Sequence, residues 1–201
     1  MNSKMLKLFA VVVALLALTF GGLRSALAGP ATDVVKAKQT ALFDLLRVSS
    51  PENEKKVSAV FDEMLDYAAL SEASLGSEWA PRTDAEKAQF SDLLKQLVRQ
   101  AYQRNLKKII KSTVDYYSEE QVGGAYMVKT KAKSKTDARE KPIGINFKMV
   151  QKDNKWRVND IVTDGVSLAS SYRTLFTRII KKEGFPMLIQ KMKDKLAKGD
   201  G

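Results

Sequence analysis

KWRVNDIVTDGVSLASSYRTLF, residues 155–176, contains a strand, a turn and a helix in succession. KWRVNDIV sets Trp156 and Val158 on one face of an extended segment. Asp164-Gly165 is a turn signal. Ser167 can then cap a helix with Leu168, Tyr172, Leu175, Phe176 and Ile179 along one stripe. Gly184 ends that helix. PMLIQKMKDKLAK follows, with Leu188, Ile189, Met192 and Leu196 as a second stripe.

Upstream the period is two. IGINFKM alternates Ile143, Ile145, Phe147 and Met149 against Gly144, Asn146 and Lys148. AYMVKTKAKSK alternates Tyr126, Val128, Thr130 and Ala132 against Met127, Lys129, Lys131 and Lys133. Such half-buried strands with one wet face make an antiparallel meander. TVDYYS, 113–118, is a further strand candidate, and KTDAREKP and KDNK are polar connections.

Further upstream the period becomes helical. TDVVKAKQTALFDLLRV places Val35, Leu42, Leu45 and Leu46 on one side. Ser50 and Pro51 open a second helix, with Val57, Val60, Phe61, Met64, Leu65 and Ala68 in unbroken helical spacing. Gly76 and Pro81 mark a corner. Thr83 and Glu86 form a capping box for a helix carrying Phe90, Leu93, Leu94, Leu97, Ala101 and Tyr102. Helices, then strands, then helices predict an α+β fold. The expectation is a curved antiparallel sheet of about four strands, wrapped by N-terminal and C-terminal helices in one domain, 29–201.

Residues 1–28 read differently. Lys4 and Lys7 precede the apolar run LFAVVVALLALTF, and Ala26-Leu27-Ala28 is a small-x-small site. This is the order of a secretory signal, with cleavage expected after Ala28. The chain has no Cys, so the lipid-anchored form of such a signal is excluded. Its removal lowers the formal net charge of +11 by three, through Lys4, Lys7 and Arg24. For an exported basic protein the expected partner is anionic lipid surface rather than nucleic acid, the alternative being that the charge only keeps the protein soluble.

With no Cys and no His, disulfides, thiolate nucleophiles and imidazole bases are all excluded. No G-x-S-x-G, Walker or H-E-x-x-H pattern occurs. Asp160 and Asp164 are four apart and could pose as a carboxylate pair, but Asp before Gly more often forms a turn. Lys129, Lys131, Lys133 and Lys135 share a strand face, either as edge protection or as a phosphate- or membrane-facing patch. Phe147, Met149, Trp156, Tyr172 and Phe176 come from layers that face each other. They either pack as a solid core or wall an apolar cavity, and patterning alone leaves both open.

KWRVNDIVTDGVSLASSYRTLFTRIIKKEGFPMLIQKMKDKL, with its Trp156 strand, Asp164-Gly165-Val166-Ser167 turn, Tyr172-Arg173, Phe176, Gly184 and Leu188-Ile189, resembles the C-terminal signature of the MlaC-like, or toluene-tolerance auxiliary, family. Asp164 stands where that family more usually has Glu. VFDEMLDYAALSEASLGSEWAPRTDAEKAQFSDLLKQLVRQAY, 60–102, is similar to the family's helix, Gly-Trp corner and following helix.

The resemblance implies a soluble periplasmic phospholipid carrier, not an enzyme, with no cofactor, metal or nucleic-acid partner. It implies transfer between an inner-membrane ABC complex bearing an MCE-domain protein and an outer-membrane lipoprotein–porin complex, with transient contact at a membrane surface. The acyl chains would lie in an apolar pocket between sheet and helices, with the headgroup towards water. The side chains expected there are Phe61, Met64, Leu65 and Leu94 from the first helices. Val128, Ile145, Phe147, Met149, Trp156 and Val158 are expected from the strands. Val166, Leu168, Tyr172 and Phe176 complete the set. Met64, Met127, Met149 and Met187 would adapt to varied chains. The competing expectations are an envelope adaptor with a solid core, or a carrier of another hydrophobic molecule such as a hopanoid or solvent.

Overall fold

The computed structural model describes residues 29–199, with the backbone alone for 104–109. The segment read as a cleaved signal, 1–28, lies outside the described residues. Among the described residues four helices come first: α1 (Pro30–Leu46), α2 (Pro51–Met64), α3 (Tyr67–Leu75) and, after a 3-10 turn at Gly76–Glu78, α4 (Asp84–Ile109). The strands are β1 (Ser112–Val122), β2 (Ala125–Ser134), β3 (Ile143–Lys152), β4 (Lys155–Thr163) and β5 (Val166–Ser167). Helices α5 (Leu168–Glu183) and α6 (Phe185–Ala197) close the chain. The fold is α+β, a single domain with a curved antiparallel sheet in the order β1-β2-β3-β4-β5. TVDYYS lies within β1, and the two residues of β5 make the fifth strand.

The local signals act as their chemistry requires. Ser50 Oγ accepts the Asn53 N–H at 3.1 Å, and the Asn53 amide donates to the Leu45 and Val48 carbonyls, joining α1 to α2. Thr83 and Glu86 exchange side-chain bonds at 2.9 and 3.2 Å. Ser167 Oγ accepts the Ser170 N–H at 3.1 Å. Asp164 and Gly165 have φ of 48° and 85°, the positive values a type I′ hairpin turn requires at both central positions.

Two features depart from the sequence reading. The apolar spacing through Ala68 predicts one continuous helix, yet the chain breaks at Leu65. Leu65 is extended, at φ −92° and ψ 135°, and bridges in parallel to Val158. The Asp66 N–H donates to the Val158 carbonyl at 2.8 Å, and Asp66 Oδ1 accepts the Ala69 N–H to start α3. A strand backbone distant in sequence thus overrides a local period. Second, bulges occur at Tyr117 and Asn159, where the registers of β1 on β2 and of β3 on β4 shift by one. The Asn159 bulge lets Val158 and Ile161, three apart, both be buried. The Tyr117 bulge turns Glu119 to the helical side, opposite buried Val128.

The helices cover one face of the sheet. α3 packs on α5, α5 on α6 and α6 on α4. Phe90, fully buried, lies at the centre of this side, edge-on to Phe176 at 5.5 Å and tilted to Phe185 at 6.5 Å. Tyr172 stacks on Phe176 at 5.2 Å. Where α3 ends, Gly76 has φ 55° and ψ −123°. Arg173 crosses it and donates from Nε to the Ala73 carbonyl at 3.0 Å. A Cβ on Gly76 would meet Arg173 Cδ at 3.0 Å. Gly76→Ala therefore combines backbone strain with crowding and is expected to cost about 1–3 kcal/mol. Thermal denaturation measures this, and an unchanged melting temperature would refute it. Adding Arg173→Ala should relieve the crowding and leave the strain.

Candidate functional site

An apolar groove runs between α1, α2 and the inner face of β1, β2 and β3. Helix α1 contributes Val35, Gln39, Leu42 and Phe43, and α2 contributes Phe61 and Met64. Tyr102 of α4 closes one side, stacked on Phe61 at 5.3 Å. The floor is Val114, Thr130, Ile145 and Phe147. These side chains converge because β1, β2 and β3 pair in a register that aligns their inward positions. The cavity is about 70 Å³.

Among the described residues the groove has no charged lining residue. Tyr116 donates its hydroxyl to Gln39 Oε1, and Thr130 donates its own to the Ile145 carbonyl. The Thr130 N–H donates to Asn146 Oδ1 at 3.2 Å, so the β2–β3 seam beneath the groove is joined partly through side chains. Burial first, then the neighbouring Tyr172, Asp160 and Tyr67, push the Tyr102 phenol far above its ordinary range. Burial likewise raises Tyr116 to about 12. Both phenols are uncharged at neutral pH. A surface of this kind solvates hydrocarbon.

The two aspartates that might have formed a catalytic pair hold separate structural posts. Asp160 accepts from the Ile161 and Ala169 N–H groups at 2.9 and 3.0 Å and from Ser167 Oγ at 2.6 Å, anchoring the start of α5. Asp164 accepts the Gly144 N–H at 2.8 Å. Among the described residues, no group of acids is arranged to hold a metal ion. Two of the four lysines of the β2 stripe are paired with carboxylates of β1. Lys129 bonds Glu120 at 2.7 Å, Lys133 bonds Asp115 at 2.6 Å, and Lys131 lies over the Tyr117 ring.

Of the side chains expected in a pocket, Phe61, Met64, Ile145 and Phe147 line the groove. Leu65, Leu94, Val128, Met149, Val158 and Phe176 are buried within the packed core. Trp156 is half-buried, edge-on to Tyr126 at 5.3 Å. Tyr172 and Leu168 are half-buried against the core, and Val166 is 62% exposed at the β4–β5 turn. Sequence reasoning missed α1 as a wall, as well as Tyr102, Val114 and Thr130. The α1 stripe was visible, but nothing in its spacing says which strand face it covers.

A family model described as MlaC protein matches residues 33–194. A solved structure of the phospholipid-binding protein from Ralstonia solanacearum, in complex with a phospholipid, is similar in fold, with a TM-score of 0.71 at 21% identity. The match covers 86% of this chain and 100% of that one. No curated protein matches the chain.

Proposed function

The chain belongs to the MlaC protein family, and from that premise we propose that it is a soluble periplasmic phospholipid carrier, exported by a signal cleaved after Ala28. It holds acyl chains in the groove between α1, α2 and the sheet. It hands the lipid between an inner-membrane ABC complex bearing an MCE-domain protein and an outer-membrane lipoprotein–porin complex. The observation that carries this reading is the groove itself, walled mainly by apolar side chains of α1, α2, α4 and the sheet, with no charge among the described lining residues. The phospholipid in the Ralstonia solanacearum protein of the same fold supports it.

Size sets the mechanism. An apolar cavity of ~150 Å³ admits benzene, and this groove, at about 70 Å³, has less than half that. Loading two acyl chains therefore requires α1 and the sheet to part. Polar ties across that boundary run from Glu119 to Thr32 and from Tyr116 to Gln39, beside the apolar packing of Ala31, Val35 and Leu42. Water replaces such bonds at modest cost. Burial of a methylene gains ~0.8 kcal/mol, so two chains with ~28 methylenes gain on the order of 20 kcal/mol against water. A bilayer offers a similar gain, so exchange is near neutral while escape through water is very slow. Transfer accordingly proceeds in a docked complex.

Native mass spectrometry of protein purified from the exported fraction without detergent tests this reading. The expected spectrum has an adduct that releases a phospholipid mass. Bare protein throughout would favour the solid-core adaptor, and an adduct of another lipid class would favour the hopanoid or solvent carrier.

A further inference from the structure

Gly29 precedes α1 as its N-cap, with φ −104° and ψ 171°. Any residue adopts that backbone, so conformation does not require glycine there. Space does. A Cβ on Gly29 would lie 2.1 Å from Glu119 Oε1 and 2.5 Å from Oε2. The Glu119 carboxylate is therefore pressed against the backbone of residue 29. It reaches this point because the Tyr117 bulge turns Glu119 to the helical side of β1. Its Oε2 accepts both the N–H and the hydroxyl of Thr32, at 2.7 and 2.8 Å. Oε1, the oxygen nearer Gly29, has no donor among the described residues.

We propose that Glu119 is the receptor for the α-ammonium group of Gly29, so that cleavage after Ala28 creates an ion pair that fastens α1 over the groove. The inference rests on the processing site read at Ala26-Leu27-Ala28. In the uncut chain the nitrogen of Gly29 is a neutral amide. Hydrolysis adds the hydroxyl of water to the Ala28 carbonyl carbon and a proton to the Gly29 nitrogen. The amine takes a second proton below its pKa of ~8. The resulting cation is one bond from the Cα that Oε1 abuts. An ammonium at a helix N-terminus opposes the macrodipole, and Glu119 supplies the compensating charge. Because α1 carries Val35, Gln39, Leu42 and Phe43, this pair sets the position of one wall of the groove.

The test is a double cycle on the exported, processed protein. Its intact mass first establishes the N-terminal residue. The α-amine is then acetylated selectively, in the wild type and in Glu119→Gln, which keeps an acceptor for Thr32 and loses the charge. Acetylation is expected to lower the melting temperature of the wild type by roughly 2–4 °C, the scale on which a chain of this length responds to one modest ion pair. In Glu119→Gln it is expected to change little. A mature chain beginning at any residue other than Gly29 overturns the proposal. So does acetylation that costs nothing in the wild type, or costs the same in both backgrounds. Co-purified phospholipid, weighed in the same spectra, reports on the carrier reading separately.

Discussion

Phe147→Asp is expected to remove more than nine-tenths of the phospholipid that co-purifies with the protein. Phe147 lies on the inner face of β3, half-buried, in a lining that holds no charge among the described residues. A carboxylate there has no cation to pair with among the described lining residues, and hydrocarbon packed against it would strip its water, which costs several kcal/mol. A tenfold loss of retention needs only about 1.4 kcal/mol. In the absence of lipid the new carboxylate keeps access to water along the groove, so circular dichroism should stay near that of the wild type. Tyr172→Asp makes the contrast. Tyr172 stacks face to face on buried Phe176, and a charge there should destabilise the fold before it touches the groove. Unchanged lipid in folded Phe147→Asp would remove the groove as the acyl site. Unfolding of Phe147→Asp on the scale of Tyr172→Asp would make Phe147 ordinary core.

Phe90→Ala carries the largest expected loss of stability. Its ring is fully buried and joins Phe176 of α5 to Phe185 of α6. Truncation of a buried Phe costs about 3–5 kcal/mol, the transfer energy of the ring plus the cavity it leaves. At about 2–4 °C per kcal/mol, calorimetry should record a large fall in melting temperature. Phe90 does not line the groove, so lipid retention by protein still folded at low temperature should be unchanged. A loss under ~1 kcal/mol would mean that the cluster repacks around the hole. Loss of lipid from still-folded protein would show that the aromatic cluster and the groove are one energetic unit.

The local grammar of this fold is legible in the residues. Ser50, Thr83 with Glu86, and Ser167 cap the helices that their positions announce, and Asp164-Gly165 makes its hairpin turn. What the chain hides is set by distant partners. Leu65 and Asp66 continue a helical period and leave the helix only because the Val158 backbone receives them. The bulges at Tyr117 and Asn159 have no local sign, yet they decide which way Glu119 and Ile161 point. The β2 lysines read as a free basic stripe until Glu120 and Asp115 arrive from β1. Core and groove are inseparable in sequence for a similar reason. Met64 and Met149 have the same chemistry and burial pattern, but only Met64 faces α1 across a gap.

The tight turns of the sheet bear on how quickly the molecule forms. Three of its four strand connections span two residues, at Gly123-Gly124, Asp153-Asn154 and Asp164-Gly165, and each strand pairs with its neighbour in sequence. Loop closure therefore costs little entropy at each step, and the contact order of the sheet is low for a β-rich unit. The meander can zip hairpin by hairpin, leaving the docking of α1 and α2 as the main long-range search.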